Sequence, residues 1–448
     1  MRIFEFFKGV WRRLFPLKDI KTALNIKPAI SQEMLNVIEV WANSYAGNAN
    51  WLDENIKSLF LEKAITREFA NISLNEMTVS ISNAKLLQIF NNAIRDLHMN
   101  FQKGLATGAM VIKPLGTDSV QFVSADAFIP VEFDSRGRLV KVIFPEFKQI
   151  EDRYYTRLEY HDLDPVKGLI ITNTAYLSET KGNLGREIPL DYVEEWQSLE
   201  PYTAYPLMYK PAFGYYRNPI DNTVDNSRCG MSIFHSALDL IRLADIQFSR
   251  LDWEFESGER AIHIDVAALT TGKDGKKNTV AHLNKRLYRS VDIMSGGDSE
   301  LFKEFSPQLR QTDLIAGLNE YKRNIEFSIG LAYGDISDPN TVAKTATEIK
   351  SAKDRKYNTV TAIQENLKDC LEDLTYALAF YNALTTSNYT FTCTFKDSIL
   401  TDEEAERKQD IQDLNLGIMR PEEYRAKWYG EDEKTALANL PQPAEVVE

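Results

Sequence analysis

The residues best suited to chemistry fall in three short stretches. Thr271-Gly272-Lys273-Asp274-Gly275-Lys276-Lys277 sets three lysines among glycines, a composition that suits phosphate. A phosphate loop of the GxxxxGK[ST] type also needs a preceding strand, so that successive backbone amides cradle the anion. This stretch has neither the spacing nor the strand, and it reads as a solvated turn. Asp221-Asn222-Thr223-Val224-Asp225-Asn226 offers calcium-loop oxygens but lacks the glycine and the distal glutamate, so it reads as an Asx-rich turn. His235 and His263 come with no nucleophile or carboxylate pair that would make them a base, and the five histidines form no HExxH pair or Cys/His cluster. A GxGxxG dinucleotide motif and a GxSxG nucleophile elbow are also missing. The expectation is therefore no catalytic residue, no cofactor and no metal.

Composition narrows the classes further. The 448 residues suggest about three domains. At 44% hydrophobic the chain can build a sizeable core without disulfides or a structural metal. Lys and Arg total 52 against 65 Asp and Glu, a formal charge of −13, which disfavours a protein that grips nucleic acid by neutralising phosphates. No apolar run reaches the ~20 residues that span a bilayer. The cysteines, Cys229, Cys370 and Cys393, are odd in number and far apart, which argues against a disulfide framework and suits a reducing compartment.

The periodicity then says which elements hold these stretches. The opening MRIFEFFKGVWRRLFPLK has Lys8, Arg12 and Arg13 inside its apolar run, so it does not read as a signal peptide. Ile3, Phe6, Phe7, Val10, Trp11, Leu14 and Phe15 share one face of a helix. That face can lie on a membrane surface or pack on protein; the net acidity of the chain favours protein. Residues 31–110 read as helical, with Ser31 as a cap and a break at Gly47. Residues 110–195 change to a two-residue period, as in Tyr154, Thr156, Leu158 and Tyr160, and predict an antiparallel sheet of five or six short strands. Ser135-Arg136-Gly137 between two apolar runs predicts a hairpin.

A helix capped by Ser232 and stopped at Gly258 is predicted next, a rod of roughly 40 Å. Residues 262–308, with turn-rich tips at 271–277 and 295–298, form a compact insert. A second helix follows from about Thr312 to Ile329, with Leu314, Leu318, Tyr321, Ile325 and Ile329 on its apolar face and Gly330 as its stop. Ala332–Lys344 is a polar loop. A very long helix comes after it, starting at Thr345-Ala-Thr-Glu348, which has the form of a capping box, or at Asp338-Pro339. Its first turns are polar (Lys350, Lys353, Asp354, Arg355, Lys356), and Val360, Ile363, Leu367, Leu371, Leu374 and Leu378 then make an apolar stripe. After a strand at Tyr389–Phe395, residues 402–440 read as short helices broken at Gly417 and Pro421, too acidic for a DNA-reading helix-turn-helix.

The order of these parts resembles the portal, or head–tail connector, proteins of tailed bacteriophages, particularly those of Gram-positive hosts. Cys229-Gly-Met-Ser-Ile-Phe-His-Ser-Ala-Leu-Asp239 is similar to the family's approach to its first stem helix. Phe305-Ser-Pro-Gln-Leu-Arg310 resembles the join from clip to second stem helix, and Ala343-Lys-Thr-Ala-Thr-Glu-Ile349 the start of the long helix after the tunnel loop.

The resemblance implies an α+β portal fold. Its wing would hold residues 1–228, mainly helical with an antiparallel β region, joined by the long helix and strand of 345–395. Stem helices would occupy 229–260 and 306–330, a small α/β clip 261–305, the tunnel loop 331–344, and a helical crown and tail 396–448. It also implies a twelve-subunit ring at one capsid vertex of the virion, assembled in the host cytoplasm with major capsid and scaffolding proteins. Through it double-stranded DNA would pass without sequence preference. Asp335, Asp338, Asn340, Lys344, Thr345 and Lys350 would line the channel, the aspartates keeping it repulsive to phosphate. Lys273, Lys276, Lys277, Lys285, Arg286 and Arg289 of the clip would dock the terminase large subunit and the head–tail adaptor. The competing readings are a peripheral-membrane scaffold using the N-terminal helix and an enzyme with an unrecognised site.

Overall fold

The computed structural model describes residues 17–265, 288–291, 302–339, 346–385, 388–395 and 403–440. The N-terminal basic helix therefore lies outside the described residues. The chain begins with helices α1 (Leu17–Leu24), α2 (Gln32–Ala46) and α3 (Leu61–Leu74), followed by strand β1 (Met77–Ile81) and helices α4 (Ala84–Ala93) and α5 (Leu97–Thr107). Ser31 caps α2, its hydroxyl accepting from the Met34 amide at 3.0 Å, and Gly47 ends it in the left-handed region. The reading of 31–110 as helical holds except for β1 and the irregular stretch before α3. Strand β1 is recruited by a partner more than three hundred residues away, which local periodicity does not register.

Seven strands follow: β2 (Ala109–Pro114), β3 (Val120–Ser124), β4 (Ile129–Phe133), β5 (Leu139–Ile150), β6 (Arg153–Asp164), β7 (Gly168–Ser178) and β8 (Arg186–Ile188). Two more, β9 (Tyr202–Tyr205) and β10 (Gly214–Arg217), lie beyond the predicted sheet region. One antiparallel sheet has the order β4-β5-β6-β7-β8 with β9 on β7, and a second has the order β10-β2-β3. The predicted hairpin is β4–β5, but β5 and β6 run for 12 residues each, not the short strands expected.

Helix α6 (Leu238–Ser257) starts six residues later than Ser232. The buried Ser232 hydroxyl accepts instead from the Phe234 amide, and a single 3₁₀ turn at 235–237 leads into the helix, which is roughly 30 Å long. Beyond it, β11 (Ala261–Asp265), β12 (Tyr288–Val291) and β13 (Phe302–Phe305) form a small sheet of order β12-β11-β13. Helix α7 (Gln311–Ile329) returns, then α8 (Ala346–Tyr381), β14 (Phe391–Phe395), α9 (Glu403–Asn415), α10 (Pro421–Tyr429) and α11 (Glu433–Ala438). Helix α8 is described from Ala346 onward, and residues 340–345 before it lie outside the described residues. Its predicted stripe, Val360, Ile363, Leu367, Leu371, Leu374 and Leu378, is wholly buried. The chain is a mixed helix and sheet protein, 45% helical and 21% strand, with antiparallel sheets, which is the α+β class.

The core is organised around α8. A β-carbon on Gly214 in β10 would lie 2.3 Å from the carbonyl oxygen of Cys370, so the missing side chain is what lets sheet and helix approach. Strand β14 pairs with β1, Thr392 opposite Ser80, and closes the body.

Where β2 meets the large sheet, a charged group is buried inside it. Lys113 Nζ donates to both carboxylate oxygens of Glu159 at 2.8 Å, with Arg157 at 3.2 Å and His161 Nε2 at 2.7 Å. Arg157 also donates to Glu146 and Asn173. Burial pulls the Glu159 carboxyl upward, but Lys113, His161 and Arg157 outweigh it and hold it well below the ordinary carboxylate range. Burial pushes His161 down against the pull of Glu159, so the ring is neutral and its Nε2–H donates.

Both groups bind a proton less readily folded than unfolded, so stability falls as pH falls, from about 6.5 for His161 and about 4.5 for Glu159. Buried Glu62 and Asp245, both raised by desolvation, act in the opposite sense, and a variant at His161 separates the two contributions. Thermal melts at pH 7 and pH 5 should show a loss of stability at the lower pH, part of it assignable to His161. His161→Gln, which keeps a donor to Glu159, should abolish that part of the change; an identical pH slope in the variant would show that the ring plays no part.

Candidate functional site

The loop expected to carry function leaves a pair of antiparallel helices, so the pair comes first. Helices α6 and α7 are held by polar rungs along their length. Arg310, at the start of α7, donates to Glu254 near the end of α6 through its amide at 3.0 Å and its guanidinium at 2.7 Å. Those bonds hold the Glu254 carboxyl down to about 2. Gln247 donates to the Leu314 carbonyl at 3.2 Å, and Ser236 to the Ser328 carbonyl at 3.1 Å. Ile241, Ala244, Ile325 and Ile329 are buried, whereas Trp253 (66%), Phe255, Ile315 and Phe327 (57%) remain exposed. The two helices thus cover only part of their own apolar surface.

Helix α7 ends at Gly330, whose φ of 84° is the left-handed cap that favours glycine. A second constraint acts there, since a β-carbon on Gly330 would lie 2.4 Å from the Thr359 hydroxyl of α8. The chain then turns back over α7, and its buried amides need acceptors. Glu326, fully buried one turn before the helix end, supplies them. Its carboxylate accepts from the amides of Gly334 (3.1 Å), Ile336 (2.6 Å) and Ser337 (2.8 Å), and from the Ser337 hydroxyl (2.8 Å). Asn319, a further two turns back on α7, accepts from the Asp338 amide at 2.7 Å.

The other side of the loop is fixed to α8. Asp335 accepts from the Ala332 amide at 2.9 Å and from Lys356 Nζ at 3.0 Å. Lys356 also lies 3.7 Å from Glu68 of α3, so one ammonium ties the loop to the N-terminal helices. Tyr333 sits between two guanidiniums, Arg323 of α7 at 5.3 Å and Arg355 of α8 at 5.5 Å from its ring. This is a rigid junction: its carboxylates are spent on backbone amides and a buried lysine, and what they do is position the loop.

Of the residues expected to line a channel, Asp335, Asp338 and Lys350 fall among the described residues. Asp335 accepts from the Ala332 amide and is paired with Lys356. Asp338 is exposed, at the end of the described loop. Asn340, Lys344 and Thr345 lie outside the described residues, and Lys350 is in the second turn of α8. The polar start of α8 is also only partly wet: Ser351, Lys353 and Asp354 are exposed, but Lys356 is buried. Of the clip cluster, Lys273, Lys276, Lys277, Lys285 and Arg286 lie outside the described residues. Arg289 stands opposite His263 in the parallel β11–β12 register.

No family model matches this chain, and no curated protein does.

His235 accepts from the Trp41 indole at 3.2 Å, and burial lowers its pKa. In the Asx-rich turn, Asn222 accepts from the Val224 and Asp225 amides, and Asp225 from the Ser31 amide. Sequence reading missed Glu326, Asn319 and Lys356. The one cue was a glutamate beside Ile325, at the edge of the apolar stripe and just before a glycine stop.

Replacing Glu326 with Ala leaves the Ile336 and Ser337 amides and the Ser337 hydroxyl without this acceptor, with Gly334 keeping only the Ser337 hydroxyl at 3.1 Å, and should cost about 3–5 kcal/mol. Glu326→Gln keeps one carbonyl oxygen and should cost less. Amide hydrogen exchange at Gly334, Ile336 and Ser337 should accelerate selectively in Glu326→Ala; unchanged protection there would mean that the carboxylate does not hold the loop.

Proposed function

We propose that this chain is a portal protein, the ring-forming conduit and docking platform at the head–tail vertex of a tailed bacteriophage. The observation that carries the reading is the sequence of parts across one junction. Two antiparallel helices, α6 and α7, flank a small three-stranded sheet, and α7 runs through a clamped loop into a helix of 36 residues that forms the spine of the body. In this reading the small sheet carried on the two rods docks the terminase and the adaptor. In the same reading the loop after α7, with exposed Asp338, and the exposed Ser351, Lys353 and Asp354 of α8 face the channel.

Two further features support the proposal. The exposed Trp253, Phe255, Ile315 and Phe327 sit on the rods, and an aromatic side chain of this size gains about 2–3 kcal/mol when a neighbour covers it. Neighbouring copies in a ring would supply that cover. The second is charge: twelve copies, each at −13, make a conduit that repels its cargo, as a passage for DNA should, because every neutralised phosphate would add a point of retention.

Negative-stain imaging and light scattering of the purified chain should show rings many times the 51.2 kDa of one copy. Trp253→Glu should shift the population to smaller species and leave the melting temperature of the isolated chain within ~1 °C, because the indole packs outside its own fold. A monomer across all salt and protein concentrations would remove the reading.

A further inference from the structure

We propose that the tip of the β4–β5 hairpin and the two arginines leaning over it form a binding site for a phosphate-type oxyanion. The hairpin turns through Asp134-Ser135-Arg136-Gly137-Arg138. Gly137 has a φ of 84°, its amide donates to the Asp134 carbonyl at 3.0 Å, and the Asp134 carboxylate accepts from the Arg136 and Arg138 amides at 2.9 and 2.8 Å. The Asp134 carboxylate thus uses its Oδ1 on the turn's own amides. Two more arginines come in from elsewhere in the chain: Arg217 from the end of β10 and Arg228 from the segment before α6. Arg217 Nη2 and Arg228 Nη1 lie 3.3 and 3.5 Å from the point where a β-carbon on Gly137 would stand. The missing side chain is what lets both guanidiniums come this close to the turn.

Neither guanidinium is there to meet an acid. Arg217 Nη1 donates to the Arg228 carbonyl at 3.1 Å, and Arg228 Nη1 to the Asp134 carbonyl. Among the described residues, neither has a carboxylate within ion-pair distance, and Arg136 has none either. Arg138 alone reaches one, Asp373, at 4.0 Å. Two guanidiniums without an acid partner among the described residues thus converge on a turn that itself carries Arg136 and Arg138, in a chain with 13 more acidic than basic residues, where neutralising partners are plentiful elsewhere. The carbonyl bonds orient the two inner groups and leave most of the five donors on each unused. A carboxylate presents two oxygens along one edge, which suits one guanidinium fork. A tetrahedral phosphate presents oxygens in several directions and can accept from two forks at once, which is the arrangement here.

The phosphate can be a free ion or part of a nucleic-acid backbone, and titration calorimetry in low-chloride buffer distinguishes them with inorganic phosphate, pyrophosphate and a short DNA duplex as probes. Saturable pyrophosphate binding is expected, weakened about tenfold or more in Arg217→Gln and Arg228→Gln and less in Arg228→Lys, which keeps the charge but loses the fork. Arg136→Gln changes an exposed side chain with no ion pair among the described residues, so a loss there of roughly twofold to fivefold reports the site independently of folding. Duplex binding with the same variant dependence, displaced by pyrophosphate, assigns the phosphate to nucleic acid; pyrophosphate binding without duplex binding assigns it to a free ion. No saturable binding of any probe, or binding that all four variants leave unchanged, overturns the proposal.

Discussion

A chain that reverses direction against a helix must find acceptors for the amides it buries, and at the end of α7 one carboxylate meets that requirement. Glu326 gathers three amides and a hydroxyl, and the remainder of the junction is consistent with its position. Gly330 lets the helix stop against Thr359, Asp335 turns toward Lys356, and Tyr333 lies between Arg323 and Arg355. Because Lys356 also reaches Glu68, the helix pair, the loop and the N-terminal helices share one set of bonds. A hydrogen bond to a charged group is worth about 1.5–3 kcal/mol, so a clamp of four fixes the angle at which the helix pair leaves the body.

What the sequence showed plainly was whatever depends on local spacing. The stripe of α8 could be read residue by residue because a helix buried on one side must repeat its apolar positions, and all six stripe residues are buried. The Ser31 cap, the Gly330 stop, the hairpin at Gly137 and the break at Pro421 were legible for the same reason: each rests on the conformational preference of one residue. What failed to show was interaction at a distance. Strand β1 looks like part of a helical region until its partner β14 is known. Lys356 looks like one more solvated lysine in a polar turn, and its burial follows only from where Asp335 and Glu68 come to lie. The Ser232 cap misled because a good capping residue also serves a 3₁₀ turn.

The distribution of charge differs from its total. An excess of 13 acidic residues describes the average surface, while the buried group around Glu159 brings Lys113, Arg157 and His161 together inside the sheet. That arrangement stands because all its members are present; removing one leaves the others desolvated without compensation. The hairpin tip at Gly137 is the converse, a positive patch open to water.

The pairing of β1 with β14 bears on how the protein is made. Ser80 and Thr392 are joined across 312 residues of chain. During synthesis the N-terminal helices leave the ribosome long before their closing strand exists, and at about 5–20 residues per second that interval is tens of seconds. Throughout it, the edge of β1 and the surface that α8 will cover are exposed in the nascent chain. Long-range closure of this kind is slow even in the complete chain, because the loop must be closed before the contact rewards it. Closure of the body therefore waits for β14, and any surface that only the closed body presents is withheld until that strand has been made.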